Sequence, residues 1–203
     1  MQLQLALVGL VALFTVTSAI SKAEVQNWVT ETLKFPWLDA FDRMTPALAK
    51  TVMTNYLNLL GEGAFETLTP LDLEKIWTAV SSANNCELCL SFHAMTLGQE
   101  GVEQVSEIVA GGVPSTADAG LVVAAKYSLA HKGPLLPREK AHLKSGFGIS
   151  EDKILEITYA VGQMAGLNHM YIYLINEGIV LEDFLKVSGP FAKTLYKDVK
   201  VEL

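Results

Sequence analysis

The sequence predicts an all-α protein, and three observations carry that expectation. Apolar residues recur at three- and four-residue steps, as in Leu73, Ile76, Trp77 and Val80. The stretches open on helix-start chemistry, with Thr45-Pro46, Thr69-Pro70 and Ser150-Glu151 each placing a capping side chain before a good first-turn residue. Alternating apolar and polar runs bounded by turns, the mark of strands, are missing from the pattern.

In chain order, Leu3 to Ile20 is an almost wholly apolar run. Small residues follow it, as after a signal peptide, but Met1-Gln2 supplies no basic start, and the run is short for a membrane span. Residues 1–23 therefore stand apart as a signal-like, anchoring or first-helix segment, and 24–203 as a single helical domain. The protein is cytoplasmic on one reading of that segment, and exported or membrane-anchored on the other. Glu24 to Leu33 has a weak helical pattern that places Val25, Trp28, Val29 and Leu33 on one side, and Phe35-Pro36-Trp37 breaks it. Ala47 to Leu60 follows, with Leu48, Val52, Tyr56 and Leu59 as its apolar stripe, closed by Gly61 to Gly63. A helix from Pro70 to about Ala83 buries Leu73, Ile76, Trp77 and Val80. Asn84-Asn85 makes a tight break, and a helix from Cys86 to about Leu97 stops at Gly98. Val102 to Val109, Asp118 to His131 and Arg138 to Lys144 read as shorter helices. Glu151 to about Asn176 is the longest of the later helices, apolar enough to pack against neighbours or other subunits. Leu181 to Lys186 reads as a last short helix before a charged tail.

The 203 residues carry a formal net charge of -7, with 50% hydrophobic and 18% charged residues. A chain of this kind buries a real core and has no basic surface for nucleic acid. It has no phosphate loop, dinucleotide fingerprint or serine-hydrolase elbow.

Two cysteines cannot staple a small fold, and theirs is the C-x-x-C spacing Cys86-Glu87-Leu88-Cys89, with His93 four residues later. On a helix these three residues share a face. Asn85 as N-cap places both thiols in the first turn, where the free N–H groups and the macrodipole favour a thiolate. The preceding helix adds a carboxylate. Glu74 and His93 lie about equally far from the turn, roughly 14 Å along antiparallel neighbours. Glu74 can then fix the His93 tautomer while His93 takes a thiol proton. First-turn position favours Cys86 as the more acidic thiol, and proximity to His93 favours Cys89.

The pattern Glu74, eleven residues, Cys86-x-x-Cys89, three residues, His93 resembles the motif of the alkyl hydroperoxide reductase D (AhpD)-like family, within the carboxymuconolactone decarboxylase superfamily. The likeness extends through Ala125-Lys126-Tyr127, Gly133-Pro134, the stretch Gly148 to Ile157, and Asn168-His169, covering roughly Thr45 to Leu185 on helix count and loop positions. The resemblance implies an all-α fold of antiparallel helices, homo-oligomers (trimers or hexamers) and thiol peroxidase activity. It implies a hydroperoxide substrate and an external lipoyl- or thioredoxin-type dithiol reductant, with no bound cofactor and no metal. Cys89 becomes the peroxidatic thiol, Cys86 the resolving, partner-facing one, and Glu74 and His93 the proton relay. The family has a further histidine just before the second cysteine, and Leu88 stands there. The decarboxylase branch generally lacks the cysteine pair, which sets lactone decarboxylation behind redox chemistry.

Other readings of the same residues are two buried structural thiols, a dithiol oxidoreductase acting on protein partners, and a zinc site completed by Glu74 or His169. Zinc sites usually draw on two separated ligand pairs, and a thioredoxin-like centre wants a βαβ context. His169 reads as a hydrogen-bonded core or interface histidine, His131 and His142 as surface residues, and Met164, Met170, Tyr171 and Tyr173 as packing.

Overall fold

The computed structural model describes residues 20–32, 39–61, 63–132, 135–178 and 186, and among them every regular element is helical. Helix α1 (Lys22–Asn27) continues into a π-helical turn, Trp28–Thr32. Then come α2 (Asp39–Asp42), α3 (Pro46–Leu60), α4 (Pro70–Ala83), α5 (Glu87–Gln99), α6 (Val105–Val109), α7 (Ala119–His131), α8 (Pro137–Phe147) and α9 (Glu151–Asn176). No described helix is long and apolar enough to cross a membrane. The apolar run at Leu3 and the expected helix from Leu181 lie outside the described residues, apart from Ile20 and a helical Lys186.

Helix α4 is the axis of the molecule. Its start is a capping box: the Thr69 hydroxyl accepts from the Asp72 N–H at 3.1 Å and the Asp72 carboxylate accepts from the Thr69 N–H at 3.2 Å. Pro70 follows at the first helical position, where its missing N–H costs nothing. From Leu73 to Ser81 every residue is buried. The helix achieves this by packing against α5, α7 and α9 on different sides. Leu73, Ile76, Trp77 and Val80 join Leu121, Ala125, Ile157, Val161 and Met164 in the main apolar cluster. Lys75, almost buried on the same helix, pairs with Asp118 at 2.7 Å, at the start of α7. Helices α7 and α8 approach closely at Gly120, where a Cβ would stand 2.7 Å from that of Phe147.

Four local expectations are corrected. Asn85 does not cap α5: it adopts the left-handed conformation (φ 54°), and Cys86 takes the N-cap position. Asparagine tolerates that region better than most residues, so the turn closes one residue later than expected. Gly98 does not stop α5, which runs on to Gln99. The stretch from Val102 becomes helical only at Val105, after a left-handed Gln104. In α3 the buried face is Ala49, Met53 and Leu59, and Leu48 is exposed. The N-terminal elements decide this, because Val25, Val29, Ala40 and Phe41 pack on the Ala49–Met53 side and form a second cluster with Leu88 and Phe92 of α5.

Candidate functional site

Helix α5 lies between the two apolar clusters, with Cys86 and Cys89 in the first and Leu88 and Phe92 in the second. The cysteines are joined as a disulfide, their Cα atoms 5.4 Å apart. Cys86 caps the helix with no side-chain capping bond, and Cys89 is the third helical residue. Both therefore sit at the end where unpaired N–H groups favour negative charge, although the register is shifted by one. Cys86 has no exposed surface, which corrects the expectation that it faces a partner, and Cys89 has almost none but lines a cavity.

The tight turn at Asn84-Asn85 sends α5 back along α4, and the two helices pack along their length. Glu74 and His93 thereby meet, with His93 Nδ1 2.6 Å from Glu74 Oε2. Both residues are buried, Glu74 completely. Among the described residues, Glu74 Oε1 and the Trp77 indole N–H are buried and find no hydrogen-bond partner. In so dry a place a carboxylate with one engaged oxygen holds that hydrogen bond firmly, since low dielectric strengthens it. The imidazole is clamped by aromatic rings as well, Trp77 and Phe92 each 5.4 Å away between centroids, Phe92 edge-on. With Nδ1 engaged, Nε2 is the ring nitrogen left for other chemistry.

Cys89 and His93 line one partly open cavity of about 60 Å³. Its remaining walls are mostly apolar, among them Phe41, Met53, Leu88 and Met164, with two phenols, Tyr56 and Tyr171. Burial pushes the Tyr171 phenol up to about 12. The four expected site residues thus line up along the α4–α5 pair, Cys86 and Cys89 at the turn and the Glu74–His93 pair further along it. Leu88, where the AhpD-like motif has a histidine, is buried in the second cluster and also walls the cavity.

His169 is exposed on α9, and its neighbour Asn168 is the fully buried one. Asn168 Oδ1 accepts from Asn84 Nδ2 at 2.9 Å, while its own Nδ2 donates to Ser81 Oγ at 3.1 Å. It ties the long helix to the turn that presents Cys86. Tyr171 and Met164, expected as packing, are cavity wall as well. A polar residue inside an apolar helical run was the available signal for Asn168, and helical phase decides which of 168 and 169 faces inward. His131 and His142 are exposed, as expected, and bond to Glu139 and Tyr127. Among the described residues no three His, Cys, Asp or Glu side chains converge as a metal site.

Comparison with protein-family models, with curated proteins and with solved structures finds no match to this chain.

Proposed function

We propose that the protein is a thiol-dependent peroxidase of AhpD-like type, reducing hydroperoxides through a Cys86–Cys89 dithiol–disulfide cycle. The buried Glu74–His93 hydrogen bond beside Cys89 carries this reading. A core that merely needed filling has no use for a desolvated carboxylate–imidazole pair next to a redox-capable thiol. The motif spacing and the apolar cavity at Cys89 and His93 add support.

In the cycle, an external dithiol first reduces the disulfide by thiol–disulfide exchange and leaves as its own disulfide. His93 Nε2 takes the Cys89 proton, and Glu74 balances the imidazolium. The Cys89 thiolate attacks the peroxide's terminal oxygen and the O–O bond breaks. Sulfur, oxidised by two electrons, becomes sulfenic acid, and the alkoxide takes a proton from His93 and leaves as an alcohol. The Cys86 thiol condenses with the sulfenic acid, releasing water and restoring the disulfide. Organic cofactors and metals have no part in the cycle, and the natural oligomer is a trimer or hexamer on the family analogy.

The test is peroxide consumption by the full chain, Cys86→Ser and Cys89→Ser, supplied with a lipoyl- or thioredoxin-type reductant. Both variants should lose turnover, and Cys86→Ser should accumulate a sulfenic acid that dimedone traps. Trapping in Cys89→Ser instead reverses the two roles. Equal rates in all three proteins leave the cysteines a structural pair.

A further inference from the structure

The face of α9 turned away from the core has a pattern of its own. Leu155, Tyr159, Gly162, Gly166, His169 and Tyr173 are all exposed, at alternating steps of four and three. That period is the seam of two packed helices. The order is also matched from its two ends. Laid antiparallel about a point midway between the glycines, two such helices put Leu155 opposite Tyr173, Tyr159 opposite His169 and Gly162 opposite Gly166. The next pair outward, Asp152 with Asn176, continues the match, and both residues are exposed.

Each rung is chemically compatible. Leucine meets an aromatic ring, a phenol meets an imidazole that can share its proton, and a carboxylate meets an amide rather than a second carboxylate. Glu151 would fall opposite Glu177, but its charge is already met by Lys140 within its own chain. The glycines supply an independent observation. A Cβ at either position would meet nothing within 4 Å, and neither glycine has a positive φ. Among the described residues nothing calls for glycine there, in an exposed helix interior where it lowers helix stability. Close approach of a second helix does call for it.

We propose that this face docks a second copy of the chain, antiparallel, across a two-fold axis between Gly162 and Gly166. Such an interface is isologous, so self-complementarity is its one requirement. Leu155, Tyr159 and Tyr173 are 71%, 54% and 62% exposed, large apolar side chains that a lone subunit leaves in water. A seam of this length, roughly 36 Å at 1.5 Å per residue, offers on the order of 500 Å² per copy, which brings the pair to about the 1,000 Å² that a specific interface needs.

Sedimentation of the full chain tests the contact. Wild type should run with an even number of copies, a dimer or, of the two states the family analogy offers, the hexamer rather than the trimer, and Gly162→Leu/Gly166→Leu should fall to half that mass with its helical circular dichroism kept. Orientation is read by cysteine pairing. Chains carrying Leu155→Cys and chains carrying Tyr173→Cys, each with Cys86→Ser and Cys89→Ser, should cross-link on mixing and not when alone. A monomeric wild type overturns the proposal, whether the chain's own residues 1–19 or 179–203 or a different protein covers the face. So does a glycine variant of unchanged mass, or Leu155→Cys chains that cross-link among themselves.

Discussion

The Asn168 side chain on α9 accepts a hydrogen bond from Asn84 in the turn before the cysteines, 84 residues away in sequence. The same amide donates to the buried Ser81 hydroxyl of α4. Replacing it strands the buried Ser81 hydroxyl and takes a partner from the Asn84 amide. Asn168→Leu should cost about 2–3 kcal/mol of folding free energy, read as a lower urea midpoint. Because the amide holds the turn that carries Cys86, the variant should also lose protection of its disulfide against small thiols.

In the proposed cycle His93 and Glu74 divide the proton work, and the two substitutions should differ. His93→Gln removes the group that takes and returns the proton, a loss of roughly 100-fold or more in peroxide turnover. Glu74→Gln keeps a polar side chain against Nδ1 but no longer balances the imidazolium, and its loss should be the smaller of the two. Equal turnover in His93→Gln and wild type would remove the imidazole from the chemistry.

Leu88 explains where this chain departs from the AhpD-like pattern. It packs with Phe41, Met53 and Phe92 in a cluster built from the N-terminal helices, α3, α5 and the last turns of α9. An imidazole there would enter an apolar wall without an evident partner. Leu88→His should lower stability by about 2–4 kcal/mol, measured by denaturant unfolding, rather than restore a longer relay.

Glu156 supplies the pH dependence. Burial pushes its carboxyl up, but the Thr67 hydroxyl and the backbone N–H groups of Glu66 and Thr67 bond to it and hold it below the ordinary carboxylate value. A lowered carboxyl contributes stability that is whole above its unfolded value of about 4.3 and disappears as pH falls through the lower folded value. Glu156→Gln should therefore be less stable than wild type at neutral pH, by about 1–3 kcal/mol. The difference should vanish in acid below that window, as thermal unfolding across a pH series would show.

Much of this arrangement is legible in the chain. Thr69-Pro70 and Ser150 mark helix starts because their hydroxyls satisfy free N–H groups, and α4 and α9 begin where those residues say. The Glu74–His93 meeting follows from equal distances to a tight turn, which needs no tertiary knowledge. What is hidden depends on packing at long range. Leu48 and Ala49 are equally good on local pattern, and the choice between them is made by Val25 and Phe41, which arrive from two other elements, α1 and α2. Asn85 looks like a cap and behaves as a left-handed hinge, a difference of one residue that moves Cys86 from inside the helix to its edge. The cavity at Cys89 draws walls from α2, α3, α5 and α9, and no local pattern reports such a convergence.

The sealing of Cys86 has a kinetic consequence. With no surface of that residue open to water, the exchange with an outside thiol in the proposed cycle starts at Cys89, which lines the cavity. Peroxide and reductant then share a single doorway and arrive in turn. Steady-state rates should plot as parallel ping-pong lines, and an excess of either substrate should choke the half-reaction of the other.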